Sequence, residues 1–174
     1  MPTVIFLNKE GYETFRFVLY SEKQLEQASQ IVNYFLNGIE IASGEPQDFS
    51  FTTINEERKE LKDYRGEVVL VDFMATWCTP CHSQMQQLDA IHETKNVTII
   101  SIDVDTNEDS KKIKKEFSEY TNKWIFGRDV DGVAVKYLVV SIPTIYIFDE
   151  EGKVFYRHEG VIYSQQLGKI IDEI

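Results

Sequence analysis

Val68-Val69-Leu70-Val71-Asp72-Phe73-Met74-Ala75-Thr76-Trp77-Cys78-Thr79-Pro80-Cys81 runs an apolar segment directly into the only two cysteines of the chain. Val and Leu occupy both faces of residues 67–75 behind Gly66, the pattern of a strand buried on both sides. Beyond the cysteines, Met85, Leu88 and Ile91 recur at helical spacing, and Pro80 is tolerated in a first turn, so a helix is expected from 80 to about 93. Cys78 then falls at a helix N-terminus, where unpaired amide hydrogens and the positive end of the helix dipole favour a thiolate. Cys81 lies one turn further on, facing back and more buried. Two sulfurs able to meet at a strand-to-helix junction point to redox chemistry, with Cys78 as the nucleophile and Cys81 as the thiol that resolves a mixed disulfide.

Residues 97–102 form a second buried strand, and strand, helix, strand in so short a span implies a right-handed parallel crossover in an α/β protein. After Asp103-Val104-Asp105 comes a polar loop, then an amphipathic helix over 110–120 with Ile113 and Phe117 inward. A short strand is expected at 124–126 and a short helix at 130–137, capped by Asp129 or Asp131. Residues 144–148 and 153–157 flank Asp149-Glu150-Glu151-Gly152 as a hairpin, and 164–174 close the chain as a helix.

The first residues, PTVIFLNKEG from Pro2, echo PTIYIFDEEG from Pro143 at a constant offset of 141. Arg16 matches Arg157, and Gln24-Leu25 meets Gln166-Leu167 after one added residue. Residues 1–37 therefore read as a hairpin and helix, either a half-domain repeat or a likeness common to any hairpin followed by a helix. A lone hairpin needs further surface to cover it. Residues 38–48, with Gly44 and Pro46, read as a linker, and 49–174 as the main domain.

The chain has 174 residues, 43% of them hydrophobic and 27% charged, the balance of one soluble globular domain with a small extra element. Its formal net charge of −11 is spread along the sequence and repels phosphate backbones, so nucleic acid is not an expected partner. No apolar run reaches the roughly 18 residues of a membrane span. The opening residues have no basic start and only a short apolar stretch, which favours the cytoplasm, or an extracytoplasmic site if a leader or anchor was removed. Both cysteines sit in one motif, which fits a reducing or an oxidising compartment.

The string VVLVDFMATWCTPC, with Ile142-Pro143-Thr144 later, resembles the thioredoxin superfamily over residues 49–174. The 62 positions from Cys81 to Pro143 and the segment before the first buried strand resemble its TlpA/ResA branch, which carries an added strand and helix. The resemblance implies a thioredoxin-like fold, a central mixed sheet flanked by helices, here with the N-terminal hairpin-plus-helix extension. It also implies a thiol:disulfide oxidoreductase that reduces protein disulfides and needs no cofactor or metal. Its partners would be a disulfide-containing protein and a second, unidentified redox protein that recharges the pair.

By the same resemblance, the buried Asp72, whose pKa burial should raise, accepts the proton of Cys81. Pro143 would be the cis-proline facing the cysteines, leaving the Ile142 backbone free to pair with a substrate segment. Trp77, Thr79 and Pro80 would complete the docking face, although Trp77 could instead belong to the core, and Thr79-Pro80 would tune the potential. Some ResA-like proteins use a glutamate three residues after the second cysteine; here Gln84 stands there. The lysine that partners the aspartate in thioredoxin is replaced by Ile99.

Other readings carry weight of their own. Cys78-Thr79-Pro80-Cys81-His82 also satisfies the attachment motif of c-type haem, but strand burial leaves the macrocycle no room. A zinc site lacks a second close ligand pair. Peroxidase chemistry of the peroxiredoxin kind shares the fold, but Thr76 lies two residues before Cys78 rather than three. A non-catalytic binding module would not need both thiols. His82 is expected on the exposed side of its helix.

Overall fold

A computed structural model describes residues 3–7, 13–18 and 46–174. The chain divides into two compact units, Met1–Ile41 and Ala42–Ile174. In the first unit, strands β1 (Thr3–Leu7) and β2 (Glu13–Val18) pair antiparallel. The helix expected after them, and most of the linker at 38–48, lie outside the described residues.

The second unit is built on a seven-stranded sheet. Its strands are β3 (Ser50–Thr53), β4 (Arg58–Glu60), β5 (Val69–Met74), β6 (Thr98–Asp103), β7 (Ile125–Arg128), β8 (Thr144–Phe148) and β9 (Val154–Glu159). Their spatial order is β4-β3-β7-β6-β5-β8-β9. β5 and β6 run parallel, as the crossover argument requires, while β8 lies antiparallel to β5 on its other side. The sheet is therefore mixed, and β5 is flanked on both edges and buried throughout.

Four helices accompany the sheet among the described residues: α1 (Thr79–Thr94), α2 (Ser110–Glu116), α3 (Val133–Lys136) and α4 (Ser164–Ile171). None is long and apolar enough to cross a membrane. Strand alternation sorts the core into two faces. Leu70 and Met74 of β5 with Ile145 and Ile147 of β8 pack with Cys81, Met85 and Leu88 of α1, Ile113 of α2 and Leu167 of α4. The opposite face is aromatic: Phe73 and Tyr146 meet edge to face with ring centroids 6.1 Å apart, and Tyr137 packs on both.

Helices α2 and α3 differ from their sequence pattern. α2 ends at Glu116, and turns carry the chain through 117–123 rather than a helix to 120. α3 begins only after Gly132, whose φ of 75° is the left-handed conformation that glycine adopts without strain. Gly132 is the N-cap residue, and Asp129, one of the two candidates, satisfies the first amides from upstream: its carboxylate accepts from the amides of Val133 at 2.7 Å and Ala134 at 2.8 Å. On β7, a Cβ at Gly127 would stand 2.6 Å from Phe51 Cδ2, so glycine is what lets β3 close on β7.

The sequence echo extends to strand register. Thr3 pairs with Val18, Val4 with Phe17, Ile5 with Arg16, Phe6 with Phe15 and Leu7 with Glu13, with an irregularity between Phe6 and Leu7. Adding 141 to each number reproduces the β8–β9 ladder, from Thr144 with Glu159 to Phe148 with Val154, including the irregularity between Ile147 and Phe148.

Candidate active site

Cys78 and Cys81 are joined as a disulfide with Cα atoms 5.2 Å apart. Cys78 is the N-cap of α1, and its sulfur accepts the Cys81 amide at 3.2 Å, so this sulfur stands at the helix N-terminus as the sequence pattern predicts. Burial separates the two: Cys78 keeps 4% of its surface and Cys81 none. The two sulfurs are bonded to one another at the point where β5 gives way to α1.

The segment 142–144 supplies the facing wall. The Ile142–Pro143 peptide bond is cis, and the Ile142 carbonyl oxygen lies 3.7 Å from Cys78 Sγ. Pro143 is buried and Ile142 half-buried, while Thr79 and Pro80 are exposed on the near side of the pair. Trp77 is 63% exposed, which places it outside the core. Its indole Nε1 donates to Asp105 Oδ2 at 2.9 Å. A half-buried backbone edge, an exposed indole and one reachable sulfur thus share one end of the domain.

Asp72 is fully buried on β5 between Leu70 and Met74, and alternation therefore turns it toward α1, the helix that carries Cys81. Burial pushes its pKa up to about 7, against a lowering hydrogen bond from Ser101. Trp124 Nε1 in turn donates to Ser101 Oγ at 3.1 Å. Ile99 is buried on β6, so no lysine stands at that position.

Sequence reasoning missed several contacts around the pair. Gln84 is fully buried and bonded to the Ile162 backbone in both directions, accepting its amide at 2.9 Å and donating to its carbonyl at 3.4 Å. It therefore ties α1 to the segment before α4. His82 is half-buried rather than exposed: its Nε2 lies 3.0 Å from the Thr76 carbonyl and its ring centroid 4.9 Å from that of Phe117.

The loop after β6, expected only as polar, holds an acidic cluster against Thr76. Glu108 accepts from the Thr76 amide at 2.9 Å and from its hydroxyl at 2.5 Å, and pairs with Lys112. Burial and the neighbouring Glu108 carboxylate raise Asp103 to about 8. Burial acts upward on Glu108 too, but the bonds from Asp103, Lys112 and Thr76 outweigh it and hold Glu108 at about 2. No cluster of three or more metal-ligating side chains occurs among the described residues.

Comparison with known proteins agrees with this geometry. Residues 44–157 match the AhpC/TSA family. The chain is 31% identical over 134 residues to the thiol-disulfide oxidoreductase ResA of Bacillus thuringiensis subsp. konkukian, covering 75% of this chain and 76% of that protein. It is 30% identical over 128 residues to the thioredoxin-like protein YneN of Bacillus subtilis, covering 72% and 75%. Among solved structures, a putative thiol:disulfide interchange protein DsbE from Chlorobium tepidum superimposes with a TM-score of 0.64 at 25% identity, covering 77% of this chain and 98% of that one. With a paired Cys-x-x-Cys at the head of α1 and relatives of this kind over most of its length, the chain belongs to the AhpC/TSA family as a thioredoxin-like thiol-disulfide oxidoreductase.

Proposed function

We propose that this oxidoreductase works as a reductant of protein disulfides, with Cys78 attacking and Cys81 resolving. The observation that carries the reading is the asymmetry of the pair: Cys78 keeps a little exposed surface and its sulfur accepts the Cys81 amide at the helix N-terminus, while Cys81 is fully enclosed one turn behind it. In the reduced protein, Cys78 thiolate attacks one sulfur of a substrate disulfide and expels the other as a thiolate, which takes a proton. Cys81, deprotonated by Asp72, then attacks the Cys78 sulfur and releases the second substrate sulfur. Two electrons have passed to the substrate, and the enzyme is left as the Cys78–Cys81 disulfide.

Docking is assigned to Trp77, Thr79, Pro80 and the Ile142 backbone beside Pro143, where an extended segment adds its main chain to an open edge. Direction follows from Asp72 and Ile142, the features that match reducing members of the superfamily. A second protein must return two electrons to the pair after each turnover. Disulfide-bearing substrates persist outside a reducing cytoplasm, so we place the work there in preference to the cytoplasm favoured by the opening residues. A thiol peroxidase is less well supported, because the two cysteines here close on each other within one turn of helix.

Equilibrating the pair with glutathione tests the direction. A potential near the thioredoxin value, about −270 mV, is expected; one near about −120 mV, that of a strong oxidant, would overturn it.

We also propose the division into an extension at 1–37, a linker at 38–48 and the thioredoxin-like domain at 49–174, with the extension a repeat of the closing hairpin and helix. The shared register of β1–β2 and β8–β9 supports it. Limited proteolysis should cut first within 38–48; first cuts inside 49–174 would count against the division.

A further inference from the structure

We propose that Glu108 is a positioning residue for the redox pair: from the loop after β6 it grips both polar hydrogens of Thr76 and so holds the turn that sets Cys78 at the head of α1. This rests on the reading of Cys78 as the attacking thiol.

Every polar atom of Thr76 is engaged. Its amide and hydroxyl both donate to the Glu108 carboxylate, and its carbonyl faces His82 Nε2. A carbonyl can only accept, so that nitrogen carries the ring proton. The next residue, Trp77, donates its indole hydrogen to Asp105, and the Cys78 amide donates to the Ala75 carbonyl at 3.1 Å. Residues 75–78 are thus fixed from the loop on one side and from α1 on the other. Thr76 is 4% exposed and Glu108 also 4%, so water cannot easily replace either partner.

Glu108 is itself held in place. Asp103 meets it side chain to side chain, and Asp103 Oδ2 has no donor among the described residues. Burial, with the neighbouring Glu108 carboxylate, raises Asp103 and so favours its protonated form. The other Asp103 oxygen accepts the Asp105 amide at 2.8 Å, and Lys112 balances the Glu108 charge. Glu116 lies 3.7 Å from His82 Nε2 on the far side. The loop is a clasp: Glu108 holds Thr76, Asp105 holds Trp77, and Asp103 accepts the Asp105 amide beneath them. Through Thr76 it fixes where the Cys78 sulfur meets the Cys81 amide at the head of α1, which sets the stability of the thiolate.

Glu108→Ala and Glu108→Gln, made in the full chain, separate position from charge. Both remove the Glu108 charge, so a difference between them reads position rather than charge. Only Gln keeps an acceptor for the Thr76 amide and offers Asp103 a donor. In Glu108→Ala, the Cys78 thiolate loses its set position on the Cys81 amide. Alkylation of Cys78 by iodoacetamide at pH 7 should slow about tenfold, and the glutathione equilibrium should move about tenfold toward the disulfide, about 30 mV for this couple. Glu108→Gln should stay within about threefold of the parent in both measurements, and Thr76→Val should shift both in the same direction by less than Ala does.

A folded Glu108→Ala that matches the parent, or Ala and Gln shifting alike, overturns the proposal. Should Glu108→Ala fail to fold, Thr76→Val decides, and unchanged alkylation there overturns it. Neither measurement uses a protein substrate, so this assignment and the reductase reading can fail separately.

Discussion

Ser101 Oγ donates to Asp72 Oδ2 across 3.2 Å, while Asp72 Oδ1 has no partner among the described residues. One oxygen of a fully enclosed carboxylate is steadied and the other left open, the arrangement of a group that can take up a proton. Asp72→Asn should slow the resolving step by about 10²-fold, read by stopped-flow as release of a labelled substrate from the mixed disulfide. Ser101→Ala removes the one lowering influence on Asp72, so the pH midpoint of that step should move above 7. An unmoved midpoint would assign the titration to another group.

The same carboxylate links stability to pH. Its folded pKa of about 7 lies above the ordinary 3.8, so between those values the folded state binds more protons than the unfolded one. Stability contributed by this group is therefore lost as pH rises from about 4 to about 7. Asp72→Asn should stabilise the oxidised protein by at most on the order of 4 kcal/mol at pH 8 and little at pH 4, measured by denaturant titration at both.

Cys81→Ala should accumulate a covalent complex with a disulfide-bearing protein through Cys78, visible as a mass adduct that dithiothreitol removes. Cys78→Ala should form none, because Cys81 has no exposed surface. Adducts of equal yield from both variants would reverse the roles.

Gly127→Ala should cost about 2 kcal/mol, the scale of overpacking in a filled core. The added methyl meets Phe51 at 2.6 Å and the Thr52 carbonyl at 3.0 Å. A lowered denaturation midpoint with an unchanged slope is the expected signature.

Asp129→Ala should lose about 1 kcal/mol by releasing the amides of Val133 and Ala134, with Asp129→Asn recovering part of it. Thermal melts of the three proteins give the comparison.

Strands β5, β6, β8 and β9 and helix α1 were legible because periodicity records burial, and burial is what β5 and the inner stripe of α1 supply. The two cysteines were legible because their spacing is local. The contacts that tune the site were not. Thr76 and Glu108 stand 32 residues apart, and Gln84 and Ile162 stand 78 apart. A polar side chain in a loop reads as solvated until the fold brings a buried amide to it. The end of α2 was missed for a related reason, since the lysines of 111–115 suit a helix whether or not it continues past Glu116.

The enclosure of Cys81 has a toxicological side. Peroxide attacks thiolates it can reach and drives them up the ladder from sulfenic to irreversible sulfinic acid. Cys81 has no exposed surface in the disulfide, and closing the pair leaves neither sulfur a thiolate. The disulfide form offers peroxide no thiolate, so as a reductant this protein would be shielded from that damage only after it has given up its electrons.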